Sequence, residues 1–273
     1  MSVVEASPAL QRAAGRAAVS VRAAADGPTR LERLHQAGCL KLRFPRLPGG
    51  RLEGVLINTA GGLTGGDRLQ LDAAVVGQGA ALTLTTQAAE RVYRAAAGEA
   101  EVAVRLHVGA ETALAYLPQE TILFDGGRLR RRLDVDLAAS SRLLLCESVI
   151  LGRTLMGETV RTGLFRDSWR VRREGRLVFA EEARLDGDIE SCRIAKAGLG
   201  GARAFASLLV QDERAESLVA PLREQLGEHG GASLVDGLLV ARLAAADGFS
   251  LRKRLVPALA TLAKGGLPRV WSL

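Results

Sequence analysis

The chain has 273 residues, of which 48% are hydrophobic and 25% are charged, a composition typical of a globular protein with one or two domains. This composition excludes collagen-like, disordered and disulfide-scaffold classes, and no run of about 18 uncharged apolar residues indicates a membrane-spanning helix. Aromatic residues make up only 4%, so leucine, valine and alanine must build the core. Lysine and arginine number 37 against 30 aspartates and glutamates, which gives a formal net charge of +7.

Arginine carries this excess of positive charge. Only Lys41, Lys196, Lys253 and Lys264 are lysines, so 37 less these four leaves 33 arginines. Guanidinium groups pair in a bidentate way with carboxylates and phosphates, which favours an acidic protein partner or a nucleic acid. A GC-rich coding sequence would produce the same bias without any function. The explanations stay open at this point, because net charge bears on association and solubility rather than on fold.

The cysteines and the N-terminus bear on the cellular compartment. Cys39, Cys146 and Cys192 are odd in number and too far apart for a CxxC pair, so neither a zinc site nor a disulfide framework is indicated. The first 27 residues are rich in alanine and arginine but contain no apolar segment, which argues against a secretory signal. We therefore expect reduced, buried thiols in a cytoplasmic protein.

Alternation of apolar and polar residues predicts half-buried strands from about residue 16 to about residue 212. The clearest strands cover 19–21, 82–84, 102–108 and 133–137. Glycine-containing turn signals separate them, and the one at 174–175 predicts a hairpin. Because strands recur about every 10–15 residues without helices between them, the pattern favours a mainly β fold, either sheet-on-sheet or coiled, over βαβ units.

Two segments near the C-terminus break this alternation and predict α-helices. The first covers 212–228, where apolar residues recur at four-residue spacing on one side. The second covers 250–264 and ends at a pair of glycines, with Pro257 as a position for a kink. No internal repeat, low-complexity segment or linker is visible. We therefore expect a single β-rich domain over 1–273 that carries its helices near the C-terminus.

The glycine-rich segments do not match nucleotide-binding motifs. The run 61–66 continues with Asp67 and Arg68, whereas a P-loop needs lysine and then serine or threonine after its last glycine. HExxH, GxSxG and EF-hand patterns are absent from the sequence, and the three histidines lie far apart. The sequence thus contains no recognisable catalytic motif.

Polar residues nevertheless occur inside apolar, strand-like surroundings. The segment 58–67 has four glycines in ten residues, which indicates special backbone angles or close backbone approach. The structural alternative there is a turn in which Asp67 bonds its own loop. Glu147 follows directly after an apolar run, and a buried carboxylate is costly unless it is paired or binds a cation. Arg153 is the candidate partner of Glu147 if the pair is structural.

Four segments together resemble the UreD (also called UreH) family of urease accessory proteins. In order, they are NTAGGLTGGDRL at 58–69, TQAAERVYR at 86–94, LPQETILFDG at 117–126 and ESVILGRTLMGE at 147–158. The C-terminal residues 268–271 also resemble the ending of that family. The resemblance covers about residues 15–271, and we expect the first 15 residues, outside it, to be a flexible N-terminus.

This resemblance implies a fold and a function. The fold is a coiled, helical β-structure with two helices near the C-terminus. The function is that of a non-enzymatic metallochaperone scaffold, which binds UreF, reaches the GTPase UreG through it, and docks on apo-urease. The assembly delivers nickel to urease, so Ni²⁺ is expected only transiently, in an internal channel, and no tightly bound cofactor is expected. We expect the helical C-terminal region to engage UreF; the alternative, of equal weight, is that these helices only cap the β core. No nucleic-acid or membrane partner is expected.

A nickel carrier must bind its ion weakly enough to release it. Imidazole and thiolate bind late first-row ions tightly, so spaced carboxylates and water make a better path. We therefore predict a transient nickel path lined by the acidic residues Glu147, Glu158, Glu120, Asp125 and Asp67.

Two other functional classes compete with this interpretation. A basic nucleic-acid-binding β protein would interleave aromatic and basic residues for base stacking, but the aromatic residues here are scattered. A carboxylate-dependent β-solenoid hydrolase would need two acids in one site. The adjacent Glu181 and Glu182 cannot share one, because neighbouring residues of a strand face opposite sides.

Overall fold

The structure is a computed structural model that describes residues 11–24, 27–47, 51–153 and 156–272. The strands are β1 (Ala14–Ala23), β2 (Thr29–Gly38), β3 (Leu40–Arg43), β4 (Leu52–Asn58), β5 (Arg68–Val76), β6 (Ala81–Thr86), β7 (Glu90–Val92), β8 (Ala100–Val108), β9 (Ala113–Leu117), β10 (Thr121–Leu123), β11 (Arg128–Leu137), β12 (Arg142–Leu151), β13 (Thr162–Arg173), β14 (Arg176–Asp188), β15 (Ala204–Gln211), β16 (Gly230–Val235) and β17 (Leu238–Ala245). The α-helices are α1 (Ile189–Ile194), α2 (Ala215–Leu226) and α3 (Gly248–Leu262), and two single 3₁₀ turns cover Gly227–His229 and Arg269–Trp271. The predicted flexible N-terminus falls mostly on residues outside the described part, and β1 already begins at Ala14.

The described strands form two sheets, and the chain winds between them as a coil. The seven-stranded sheet has the order β14-β13-β11-β8-β5-β1-β2, and the main path of the ten-stranded sheet is β16-β17-β15-β12-β9-β6-β4-β3. Strands β5, β8, β11 and β13 pair in parallel in the first sheet, and β4, β6, β9 and β12 pair in parallel in the second. From β4 to β13 the chain passes back and forth between the two sheets, so parallel neighbours need no crossover helix. The predicted mainly β, coiled architecture is confirmed.

The connections on the two sides of the coil differ in length. Turns at 77–80, 109–112 and 138–141 lead from the seven-stranded to the ten-stranded sheet, and longer segments lead back. The longer segments stack on one another through backbone bonds, including Leu63 N–H to Arg91 O at 2.7 Å and Gly152 N–H to Leu123 O at 2.8 Å. Strands β7 and β10 lie in this stack and pair in parallel. We call this side, built from 58–67, 86–94, 117–126 and the described part of the fourth motif (147–153 and 156–158), the motif edge.

Apolar side chains fill two layers. One layer lies between the sheets and includes the buried rings of Phe165 and Trp169. The other lies between the ten-stranded sheet and the C-terminal helices, where Leu251, Leu255 and Leu259 of α3 are fully buried. Burial of one such leucine contributes roughly 1.5–3 kcal/mol, so the apolar face of α3 is used within the fold itself.

Both predicted C-terminal helices are confirmed, with shifted ends. The first begins at Ala215 rather than at 212, because the Asp212 carboxylate accepts a bond from the Arg214 N–H at 2.9 Å and closes a turn. The second begins at Gly248, because the Asp247 carboxylate caps it by accepting from the Ser250 N–H at 2.7 Å.

Helix α1 lies within the region where the sequence predicts only strands. It has six residues, too few to interrupt an alternating pattern, and its capping residue Asp188 accepts from the Ser191 N–H at 2.9 Å. The predicted hairpin is confirmed, since β13 and β14 pair antiparallel around Glu174 and Gly175, both with positive φ.

The cysteines agree with expectation only in part. All three are free thiols, but Cys146 is buried whereas Cys39 and Cys192 are half-buried. Among the described residues, the helices are all too short or too polar to cross a lipid bilayer.

Candidate functional site

A cavity of about 170 Å³ lies between the two sheets at the motif edge. Inward-facing leucines and valines line most of it, and the four motif segments contribute Asn58, Glu90, Gln119 and Glu147. Gly61 also lines the cavity and is exposed, so the cavity reaches the surface. One water occupies roughly 30 Å³ in the liquid, so there is room for several waters or for an ion with part of its hydration shell.

Glycines in the first motif shape the mouth of this cavity. Gly62 has a φ of +146°, and a Cβ there would lie 2.4 Å from the Tyr93 ring and 2.8 Å from the Arg91 carbonyl oxygen. A Cβ on Gly65 would lie 2.1 Å from the carbonyl oxygen of Ala97. The close backbone approach predicted from the glycine density is therefore confirmed, and it lets the first connection stack on the second.

Glu90 is a cavity-lining acid that the predicted nickel path did not include. The Asn58 Nδ2 donates to both of its carboxylate oxygens at 3.2 Å. Burial raises the pKa of Glu90 above its ordinary value, although the Asn58 hydrogen bonds oppose the shift. The sequence offered one signal for Glu90 as a site residue: it lies in the second motif, shortly after a buried strand and next to two alanines.

Glu147 belongs to a buried ionic network that crosses the coil. Arg131 of β11 donates to Glu147 of β12, and it also binds Asp167 of β13 in a bidentate way at 2.9 and 2.7 Å. The Asp167 carboxylate additionally accepts from the Trp169 indole at 3.1 Å. All three charged groups are at least nine-tenths buried, so the network ties the two sheets together inside the fold.

Arg153 is not the partner of Glu147, contrary to the structural alternative drawn from the sequence. Its Nε donates to Glu158 at 2.8 Å instead. The alternation of β12 turns Glu147 into the coil, whereas Arg153 follows the end of that strand and half of its side chain is exposed. The true partner, Arg131, comes earlier in the chain and from the opposite sheet.

The network holds two carboxylates against one guanidinium, so it carries one excess negative charge when both carboxylates are ionised. Burial raises the pKa of Glu147 to about 7; Arg131 opposes this shift and the nearby Asp167 adds to it. Burial lowers the pKa of Arg131, but Asp167 and Glu147 outweigh this and raise it above its ordinary value. Glu147 is therefore a group at the cavity wall that exchanges its proton near neutral pH.

Asp67 and Glu120 bind protein groups rather than line the cavity. The buried Asp67 carboxylate accepts from the backbone N–H groups of Ala13 at 2.7 Å and Thr64 at 2.8 Å, as the structural alternative for this loop predicted. Glu120 pairs with Arg252 of α3 at 2.7 Å. The same guanidinium donates to the Trp271 carbonyl at 3.0 Å, so Glu120 anchors the C-terminal region to the coil.

Asp125 and Glu158 also have protein partners. Asp125 accepts from the backbone N–H groups of Arg161 at 2.9 Å and Thr162 at 3.1 Å; these bonds and Arg94 outweigh partial burial and lower its pKa. Partial burial raises the pKa of Glu158, but Arg153 outweighs it and holds that pKa below its ordinary value. Of the five predicted path acids, only Glu147 lines the cavity. The described residues contain no cluster of three or more metal-ligating side chains, and the role of the five in nickel binding stays a prediction.

Comparison with known proteins identifies the family. The model of the UreD urease accessory protein family matches residues 13–272. The chain belongs to this family. The urease accessory protein UreD of Rhizobium leguminosarum bv. viciae is 50% identical over 277 residues, covering 100% of both chains. That of Mesorhizobium japonicum is 50% identical over 97% of the chain and 96% of its own length, and that of Agrobacterium fabrum is 48% identical over 96% and 92%. The family resemblance drawn from the four motifs is confirmed.

Proposed function

We propose that the chain is a urease maturation factor, a non-enzymatic cytoplasmic scaffold that docks with UreF and the GTPase UreG on apo-urease and supports nickel insertion. Membership of a family named for its accessory role to urease supports the general role. The observation that carries the nickel step is the cavity at the motif edge, where the walls bring Glu90 and Glu147 inside the coil.

The donor groups around this cavity suit a transient ion. Its described lining offers carboxylate, amide and hydroxyl oxygens but no imidazole and no thiolate. Because late first-row ions bind nitrogen and sulfur ligands more tightly than oxygen ligands, Ni²⁺ would be held here weakly enough to be passed on. The network gains an excess negative charge when Glu147 is ionised, and this charge would attract the cation.

The ionic network allows Glu147 to turn from Arg131 to a cation without leaving a buried charge unpaired. Arg131 keeps two bonds to Asp167 after Glu147 has moved, at 2.9 and 2.7 Å. An unpaired buried guanidinium would be costly, and this arrangement avoids that cost. We propose Glu147 as the acid that meets nickel inside the coil, with Glu90 nearer the mouth.

The other four predicted path acids lie in the motif segments but do not line the cavity. Each already binds a protein N–H or guanidinium group, so a passing ion would reach it only by displacing that partner. We propose that Asp67, Glu120, Asp125 and Glu158 hold the stacked connections around the path.

Nickel loading of urease tests the proposal. The chain is co-expressed with urease, UreF and UreG, and the nickel content of purified urease is measured for Glu147→Gln, Glu90→Gln and the double variant. Glu53→Gln is the matched control, because Glu53 is also buried, with a pKa raised by burial, but does not line the cavity.

The expected result is a loss of nickel from urease with the cavity variants, at a melting temperature no lower than that of the unchanged chain and with unchanged co-purification of UreF. The control should load urease normally. Normal nickel content with the double variant would contradict the path, and a stable chain that captures none of the three proteins would contradict the scaffold role.

A further inference from the structure

Arginines form a row across the outer face of the seven-stranded sheet. Arg68 of β5 lies opposite Glu101 of β8, which is followed in register by Arg130 of β11, Arg166 of β13 and Arg184 of β14. We call Arg68, Arg130, Arg166 and Arg184 the arginine row. Neighbouring strands are roughly 4.8 Å apart, and like charges directly opposite each other destabilise a sheet. Three arginines on three adjacent strands thus oppose folding.

Each of these arginines pairs with an acid that is less exposed than the arginine, Arg68 with Glu101 among them. The Arg130 side chain is 53% exposed while its partner Glu99 is 19% exposed, and Arg184 is 61% exposed against 38% for Asp186. Arg166, which pairs with Glu182, is also exposed. Guanidinium groups therefore project outward, held only by surface ion pairs, which are weak and easily exchanged.

A shallow depression of about 530 Å³ adjoins the row. Small residues and strand backbone form its floor, and arginines surround it. The charged residues that line it are Arg16, Arg68, Arg130, Arg132 and Glu101. The depression offers a concave seat lined by four guanidinium groups, each of which also pairs with an acid of this chain. It lies on a face that α2 and α3 do not cover, since they pack on the other sheet.

We propose that the arginine row and the adjoining depression are the docking surface for an acidic protein of the maturation assembly. The inference rests on the proposed function, and it accounts for the alignment of these arginines across strands, which codon usage does not set. Arg68 is the first residue of β5, Arg130 the third of β11 and Arg166 the fifth of β13, so the row crosses these strands near the ends that follow the motif-edge connections. A partner seated there lies beside the edge on which the cavity opens.

Charge and composition favour a protein over a nucleic acid. Glu101 interrupts the row, where it would oppose a continuous phosphate backbone, whereas a protein surface can place a basic residue against it. The row and the depression contain no aromatic residue for base stacking. The carboxylates of a partner can replace those of this chain that pair with the arginine row, because guanidinium groups bind carboxylates in a bidentate way.

The test compares two triple variants that each remove three positive charges. The row variant is Arg68→Gln/Arg130→Gln/Arg166→Gln, and the control is Arg176→Gln/Arg242→Gln/Lys253→Gln, whose cations are exposed elsewhere. Binding of purified chain is measured to poly-L-glutamate, to a DNA duplex, and to apo-urease, UreF and UreG separately, from about 50 to about 300 mM NaCl.

The row variant should lose roughly tenfold in affinity for poly-L-glutamate and for one of the three proteins, and its salt dependence should flatten. The control should keep the affinity of the unchanged chain. Equal losses in both variants, or tighter row-dependent binding of DNA than of poly-L-glutamate, would overturn the proposal. If the unchanged chain binds none of the three proteins, the proposed function fails, and poly-L-glutamate binding alone then decides the docking surface. Melting temperatures accompany each variant, and Arg130→Gln alone repeats the test if the row variant unfolds.

Discussion

Replacement of Glu147 by glutamine should remove a pH-dependent loss of stability. The folded pKa of about 7 exceeds the ordinary value of 4.5 because of burial. Each pKa unit corresponds to about 1.4 kcal/mol, so the ionised carboxylate costs about 3 kcal/mol above pH 7. Between these two pKa values the folded chain retains a proton that the unfolded chain has released. Stability therefore falls as the pH rises through this window.

Glutamine resembles the protonated carboxyl group in size and charge, so Glu147→Gln should lack this fall. Arg131 stays paired with Asp167 in the variant, and no buried charge is left alone. Urea unfolding from about pH 5 to about pH 8 measures the difference in free energy of unfolding, with the buried Trp169 and Trp271 as fluorescent reporters.

The variant should gain on the unchanged chain as the pH rises, and the gain should approach about 3 kcal/mol near pH 8. Glu213→Gln, a change at a largely exposed carboxylate, should follow the unchanged chain at every pH. A difference that stays constant with pH, or one that favours the unchanged chain at high pH, would refute the reasoning. It would show that attraction to Arg131 outweighs burial.

Three further substitutions test the contacts that hold the motif edge. Arg252→Ala leaves Glu120 buried without its partner, and the free energy of unfolding in urea should fall by about 3–5 kcal/mol. Gly62→Ala forces a Cβ against Tyr93 at a strained φ; calorimetry should show a lower melting temperature, equivalent to about 1–3 kcal/mol. Asp67→Ala leaves two backbone N–H groups without their acceptor and should cost about 2–4 kcal/mol, with faster amide exchange at both. If the stability of any one of these variants is unchanged, the contact that it removes does not stabilise the motif edge.

Local sequence patterns predicted most of the secondary structure and, at the site, the close backbone contacts of the glycines. Alternation over 102–108 and 133–137 matches β8 and β11, and the glycine density at 58–67 matches the close contacts of Gly62. Such signals are local because side-chain alternation and backbone sterics act within a few residues. The sequence pattern did not predict helix α1, because six residues are too few for a periodic signal.

The sequence by itself determined the family, the mainly β class and the two C-terminal helices. These depend on motifs in order and on periodicity, which the linear chain displays. It could not determine which side chains meet across the coil, because successive turns differ in length and leave no repeat to align. Glu147 meets Arg131 and Asp167, and Arg130 aligns with Arg166, only because parallel register brings them together. Tertiary structure alone therefore decided the cavity, the shifted pKa of Glu147 and the arginine row.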